Sequence, residues 1–175
     1  MINILRKAFG VDKNSTCLSD TNSTCIQIYD CYDCIPAAQR SYIKTREDEP
    51  VHFTLFNPKA VNLCFAALDN CLLNSKDPAR CDFIIGNTQK LYFVEIKNTN
   101  TSQKRAARKS AINQLDSAIE NVKNKTNLND IILIAVTCFG GKQVFPLQNA
   151  TRIAEIVRFK NRHNALLMEG HSDIF

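Results

Sequence analysis

A chain of 175 residues, 45% of them hydrophobic and 22% charged, has enough apolar surface for a packed core and lies far from the composition of disordered chains. Its formal net charge of +5 permits an anionic partner without requiring one. No apolar run reaches the roughly 18 residues of a membrane-spanning helix, and Met1-Ile-Asn-Ile-Leu-Arg-Lys7 lacks the long apolar region of a secretory signal, so the expected location is the cytoplasm.

Residues 1–50 read as an irregular elaboration ahead of a main domain over 51–175. Ser, Thr, Asn and Asp cluster from Asp12 to Thr24, Ile26-Gln-Ile-Tyr29 has the pattern of a short strand, and Arg46-Glu-Asp-Glu-Pro50 is a charged break. Cys17, Cys25, Cys31 and Cys34 fall in this stretch. Four thiols are enough ligands for a structural zinc, yet their spacing fits no zinc-finger pattern. Reduced thiols are therefore expected, with Cys64, Cys71, Cys81 and Cys138 acting as small buried apolar groups inside hydrophobic segments. The Asn-x-Ser/Thr triplets at Asn14, Asn22, Asn100, Asn124 and Asn149 are what chance produces in an Asn-rich chain.

Val51 to Phe56 alternates as a strand does, and Asn57-Pro58 offers a helix cap followed by proline at the first helical position. Val61, Cys64, Phe65, Leu68, Cys71 and Leu72 recur at three- and four-residue steps, which predicts a helix running to about Leu73. Cys81 to Ile85 and Leu91 to Lys97 are strand-like runs joined by Gly86-Asn-Thr-Gln-Lys90, a hairpin signal. A long helix is expected from Thr101 to Lys123. The continuous apolar run Ile131 to Val136 marks a strand covered on both faces. Gly140-Gly141 turns the chain, Ala150 to Lys160 is expected to be helical, and 161–175 shows no clear pattern. Strands alternating with helices imply an α/β fold with a central mixed sheet flanked by helices.

The hairpin carries the chemistry. An even-length loop centred between Thr88 and Gln89 puts Asp82 directly opposite Glu95. Side chains so opposed lie about 4.5 to 5.5 Å apart at Cβ, and two like charges there are destabilising without a cation between them. Lys97 is two residues beyond Glu95 and shares its face. Three charges thus interrupt strands that otherwise read as buried, a violation of pattern of the kind that concentrates at functional sites. The plainer account is a salt bridge between Glu95 and Lys97 at a sheet end, with Asp82 beginning its strand.

Cys81-Asp82, the hairpin and Val94-Glu95-Ile96-Lys97 together resemble the motif of the PD-(D/E)xK nucleases, whose fold is the restriction-endonuclease-like core. The resemblance spans about residues 55–140 and extends to the order of helix, acidic strand, Glu-x-Lys strand, helix and buried strand. It departs in two places. Cys81 separates Asp82 from the nearest proline, Pro78, and the family's strand between its first helix and the aspartate strand has no counterpart in Asn74 to Arg80. The resemblance implies a metal-dependent hydrolase of phosphodiester bonds. Asp82 and Glu95 would bind Mg²⁺ or Mn²⁺, the carbonyl of Ile96 would complete the shell, and Lys97 would assist the attacking water. Such an ion takes carboxylate oxygens and retained waters, and can serve both nucleophile and leaving group.

In the helix that follows, Lys104, Arg105, Arg108 and Lys109 continue the direction of the apolar stripe Ile112, Leu115, Ile119 and Val122. They are expected to contact nucleic-acid phosphates. Gln114 resembles a helix glutamine of some members of the superfamily, but lies to the side of that stripe and is expected in solvent, as is Asp69. The three histidines have no ligand spacing. DNA is favoured over RNA as the partner, and whether the chain works as a homodimer or within a larger complex stays open. The competing function is a catalytically inactive nuclease-fold module that binds nucleic acid or a protein. Retention of Asp82, Glu95 and Lys97 together favours catalysis.

Overall fold

The computed structural model describes residues 1–35, 39–74, 77, 79–99, 103–139 and 150–175. Pro78, the Gly140-Gly141 turn and the Asn-x-Ser/Thr triplets beginning at Asn100 and Asn149 lie outside them. The first helix, α1 (Ile2–Phe9), is followed by β1 (Leu18–Thr21), β2 (Cys25–Asp30), β3 (Ser41–Ile43), β4 (Phe53–Phe56), β5 (Leu63–Ala67), β6 (Phe83–Gly86) and β7 (Lys90–Lys97). Then come α2 (Lys104–Lys125), β8 (Ile132–Phe139), α3 (Ala150–His163), β9 (Ala165–Glu169) and β10 (Ser172–Ile174).

A six-stranded mixed sheet runs in the order β1-β5-β6-β7-β8-β9. The pairs from β1 to β7 are antiparallel, and β7, β8 and β9 are parallel. A second sheet of four strands, β10-β4-β2-β3, covers one of its faces. The helices cover the other. Period-two alternation sorts β7 between the two layers: Leu91 and Phe93 pack on the helix side, while Tyr92, Val94 and Ile96 pack between the sheets. Burial of a large side chain such as Phe93, which is fully enclosed, contributes about 1.5 to 3 kcal/mol. Ile112, Leu115, Ile119 and Val122 of α2 fill the helix-side core as their spacing predicts.

The helix expected between Asn57 and Leu73 is absent. Its centre is β5, whose five residues are all buried and which pairs with β1 on one side and β6 on the other. Leu63-Cys64-Phe65-Ala66-Ala67 is a run of strand length, apolar on both faces because both faces are covered. The three- and four-residue steps were drawn from that unbroken run. Asn57 caps no helix either: its side chain accepts from the Val61 amide at 3.1 Å and donates to the Val61 carbonyl at 2.9 Å. Ala60 has a φ of 48°, so the chain turns back here. Thus a strand, not a helix, precedes the Asp82 strand in the sheet, and the helix ahead of it in the chain is α1.

The boundary at residue 50 is also corrected. Strand β2 pairs with β4 from Cys25 opposite Phe56 to Ile28 opposite Phe53, so the second sheet joins residues on both sides of it. The polar stretch from Asp12 to Thr24 contains β1, whose Ser19 and Asp20 are exposed because it is the edge strand. The unpatterned tail supplies β9 and β10; Leu166 and Met168 of β9 are exposed, which hides the alternation with the buried Ala165 and Leu167.

Two disulfides replace the expected free thiols. Cys17 is bonded to Cys71 and Cys31 to Cys34, while Cys25 is free and exposed and Cys64, Cys81 and Cys138 are free and buried. Three of the four N-terminal cysteines, Cys17, Cys31 and Cys34, are therefore taken up in these two bonds. No helix of the described residues is long and apolar enough to cross a membrane.

The hairpin that carries the motif depends on Gly86. The Asn87 side chain accepts from the amides of Gln89 and Lys90 at 2.8 and 3.1 Å, closing the turn tightly behind Gly86, whose φ is +154°. A Cβ at Gly86 would stand 2.1 Å from the Lys90 carbonyl oxygen. Gly86→Ala therefore forces backbone apart and is expected to destabilise by upwards of about 3 kcal/mol. Urea unfolding measures this, and a loss below about 1 kcal/mol would contradict the described turn.

Candidate metal centre

The register of β6 on β7, Phe83 opposite Val94 through Gly86 opposite Leu91, is the one that sets Asp82 against Glu95. The Asp82 amide donates to the Val94 carbonyl at 3.1 Å, which keeps Asp82 at the strand end. Asp82 is 7% exposed and Glu95 1%, so both carboxylates are out of bulk water. One oxygen of Asp82 accepts from the Ile96 amide at 2.5 Å. One oxygen of Glu95 meets the Lys97 ammonium at 2.5 Å. The second oxygen of Glu95, Oε2, is buried without a hydrogen-bond partner.

Electrostatics follow from that geometry. Burial pushes the Glu95 carboxyl up to about 7, against the opposing pull of Lys97. Burial, followed by the charges of Glu95 and Asp30, holds the Asp82 carboxyl well above the ordinary carboxylate range, although the Ile96 amide pulls the other way. Two buried acids so close to one another disfavour each other's ionisation. What is lacking is positive charge: among the neighbours named, Lys97 already serves Glu95, and Arg80 is paired with Asp69 at 2.5 Å.

Gln114 belongs to this site rather than to solvent. It accepts from Lys97 Nζ at 2.6 Å and donates to the Arg80 carbonyl at 3.2 Å. The buried face of α2 includes Ala111 and Ala118 beside the large residues, and both lie within about 60° of Gln114 around the helix. Small residues shift the true centre of the buried face toward Gln114, which a stripe drawn from Ile and Leu alone overlooks. Asp69 is likewise not on a helix. It sits in the turn after β5, half-buried, with its amide 3.4 Å from the Asp82 carbonyl.

The basic residues of α2 divide. Lys104 lies 3.6 Å from Glu169, and Arg108 pairs with Glu169 at 3.2 Å and with Glu155. Arg152 joins them on Glu169 at 2.7 Å. Glu169 ends β9, in register with Thr137 and, through it, with Glu95. Arg105 and Lys109 are exposed, and no ion pair holds them among the described residues. Arg108 is thus first a structural cation, because a carboxylate from the unpatterned tail meets it. Arg108→Ala is expected to lower stability by about 1 to 2 kcal/mol, since Glu169 keeps two other cations. Thermal unfolding checks this, and an unchanged midpoint would show the pair to be inconsequential.

A second group has the closeness and ligand types a metal ion takes. Asp116, Glu120 and His163 place their ligand atoms all within 4.8 Å of one another, the one such trio among the described residues. The sequence concealed it because His163 comes from α3 and the acids from α2. It could hold a metal ion, but Arg162 already stands in the place of one, 2.8 Å from Asp116 and 2.5 Å from Glu120, and His163 bonds Asp116 at 2.6 Å. The orphaned oxygen of Glu95 makes the hairpin the stronger centre.

No protein-family model, curated protein or solved structure matches the chain.

Proposed function

We propose that this chain is a divalent-cation-dependent nuclease hydrolysing the phosphodiester bonds of DNA, with its reacting centre at Asp82, Glu95 and Lys97. The observation that carries this reading is the buried, unpartnered Oε2 of Glu95 beside a second buried carboxylate. A buried carboxylate oxygen left without a hydrogen-bond partner costs about 1 to 3 kcal/mol, and a cation with hard oxygen preference would offset it. Mg²⁺ or Mn²⁺ bound there supplies charge compensation at the phosphate and a more acidic water.

The residues divide the remaining work. Asp82 and Glu95 offer the ligand oxygens, and the strand register spaces them. Gln114 and Glu95 together aim the Lys97 ammonium, which would orient the attacking water and, as a fixed positive charge beside it, ease the release of its proton to solvent. Arg105 and Lys109, free on the α2 surface, would meet phosphates further along the strand without reading sequence.

The test is a panel of supercoiled plasmid, linear duplex, single-stranded DNA and RNA, each with Mg²⁺, Mn²⁺ or EDTA. Cleavage of DNA with either metal and none with EDTA is the expected result. Binding without cleavage under every condition would instead favour a nuclease-like module that has lost its chemistry, and cleavage confined to RNA would correct the substrate.

A further inference from the structure

The disulfide between Cys17 and Cys71 fastens the chain ahead of β1 to the turn after β5, and that turn holds the Asp82 end of the hairpin. The amides of Leu68 and Asp69 both donate to the Asp82 carbonyl, at 2.9 and 3.4 Å. Asn70, with a φ of 51°, makes the bend, and the amides of Cys71 and Leu73 return to the Leu68 carbonyl at 3.3 and 2.9 Å. From Asp69 the hold continues through Arg80, whose carbonyl accepts from Gln114, the partner of Lys97.

Both sulfurs of this bond carry a cation. Arg40 Nη1 donates to Cys17 Sγ at 3.5 Å and to Cys71 Sγ. The other contacts of its side chain are the Thr16 hydroxyl at 3.0 Å and the face of Tyr42 at 4.9 Å. Its backbone is pinned as well: the Arg40 carbonyl accepts from the Cys31 amide at 3.1 Å, and neighbouring Gln39 donates to the Cys34 carbonyl at 3.1 Å and accepts from the Asn70 side chain at 3.0 Å. A bonded sulfur is a weak acceptor and gains little from a guanidinium, whereas a thiolate beside a cation is strongly stabilised. The cation is thus placed for the opened bond more than for the closed one. Cys17 and Cys71 are each partly exposed, so a small thiol can reach them.

We propose that the bond between Cys17 and Cys71 is a thiol-exchange site, opened by a dithiol reductant while Arg40 receives the departing thiolate, and that its opening loosens the hold on Asp82. A thiolate of the reductant attacks one sulfur and forms a mixed disulfide. The bond between the two cysteines breaks, and the other sulfur leaves with the electron pair as a thiolate on Arg40. The reductant's second thiolate then attacks the reductant's own sulfur in the mixed disulfide, which releases the second cysteine. Two electrons pass to the chain, the reductant ends as its disulfide, and its two thiol protons pass through solvent to the two cysteines. The loosening of Asp82 rests on the reading of the hairpin as a cation site; the exchange itself does not.

The experiment treats the folded full chain with dithiothreitol in the absence of denaturant, traps thiols by alkylation, and reads Cys17 and Cys71 separately from the other cysteines by peptide mass spectrometry. The parent is expected to label at both while circular dichroism shows it folded. Arg40→Gln should open about 3- to 10-fold more slowly, because a better-stabilised thiolate leaves faster. An arginine that only braced the turn would give the opposite sign, since its loss would speed opening. Labelling of the parent only after global unfolding would overturn the exchange site, and this arm carries the test if Arg40→Gln does not fold. Opening of Arg40→Gln at the parent's rate or faster would overturn it too. Calorimetric titration of the metal-stripped chain with Mn²⁺ reads the second half: Cys17→Ser with Cys71→Ser is expected to bind about 10-fold more weakly than the parent, at the lower end of the range for groups that support metal ligands. If that double variant does not fold, the parent titrated in a phosphine reductant takes its place. Parent-like affinity with the bond absent would overturn the loosening of Asp82 and leave the hairpin site standing. No Mn²⁺ binding by the parent would overturn the hairpin site and the loosening together.

Discussion

Lys97→Ala and Glu95→Gln are each expected to lower Mg²⁺-dependent cleavage by at least about 10²-fold, the scale on which a positioned proton-transfer or water-orienting group acts. Both variants should stay folded, for different reasons. Lys97 is at the end of β7 with part of its side chain in solvent, so its truncation leaves no large cavity. Glu95→Gln preserves shape while removing a charge whose second oxygen has no partner. Steady-state cleavage on plasmid DNA, with circular dichroism for folding, measures both. Undiminished cleavage by Glu95→Gln would place the chemistry elsewhere on the molecule.

The second large effect concerns pH in the metal-free protein. The Glu95 carboxyl titrates near 7 in the fold against 4.5 as an ordinary glutamate, and Asp82 moves in the same direction. Between those two values the folded chain binds more protons than the unfolded chain, so stability is fully present below about 4.5 and is lost as pH rises toward 7. The loss for Glu95 alone is on the order of 3 kcal/mol. Chemical unfolding in EDTA should therefore show greater stability near pH 5 than near pH 8, and Glu95→Gln should flatten the profile and gain stability at pH 8. A parent profile that rises across this window would mean that the site already holds compensating charge.

How much of this was legible in the residues depends on what each pattern left ambiguous. The hairpin was fully legible, because Gly86 and Asn87 mark the turn and the turn sets the pairing of Asp82 with Glu95. The α/β class was legible from the covered run of β8 and the stripe of α2. Strand β5 was not, since five consecutive apolar residues satisfy strand and helix spacing alike and only their length argues for a strand. Gln114 was lost because alanine was not counted toward the buried face. The ion pairs of Arg108 could not be anticipated, as Glu169 comes from a segment with no periodicity of its own. The disulfide between Cys17 and Cys71 joins residues 54 apart in sequence, and no local pattern reports such a pairing.

The claim that the hairpin is a cation site is tested most directly by thermal unfolding at neutral pH with and without Mg²⁺, in the parent and in Glu95→Gln. Ligand that binds only the folded chain stabilises it by mass action, about 2.7 kcal/mol at a hundredfold excess over Kd, which moves the midpoint of a chain this size by roughly 5 to 10 °C. The account predicts that rise in the parent and none in Glu95→Gln. An equal rise in both, or none in the parent, would contradict it.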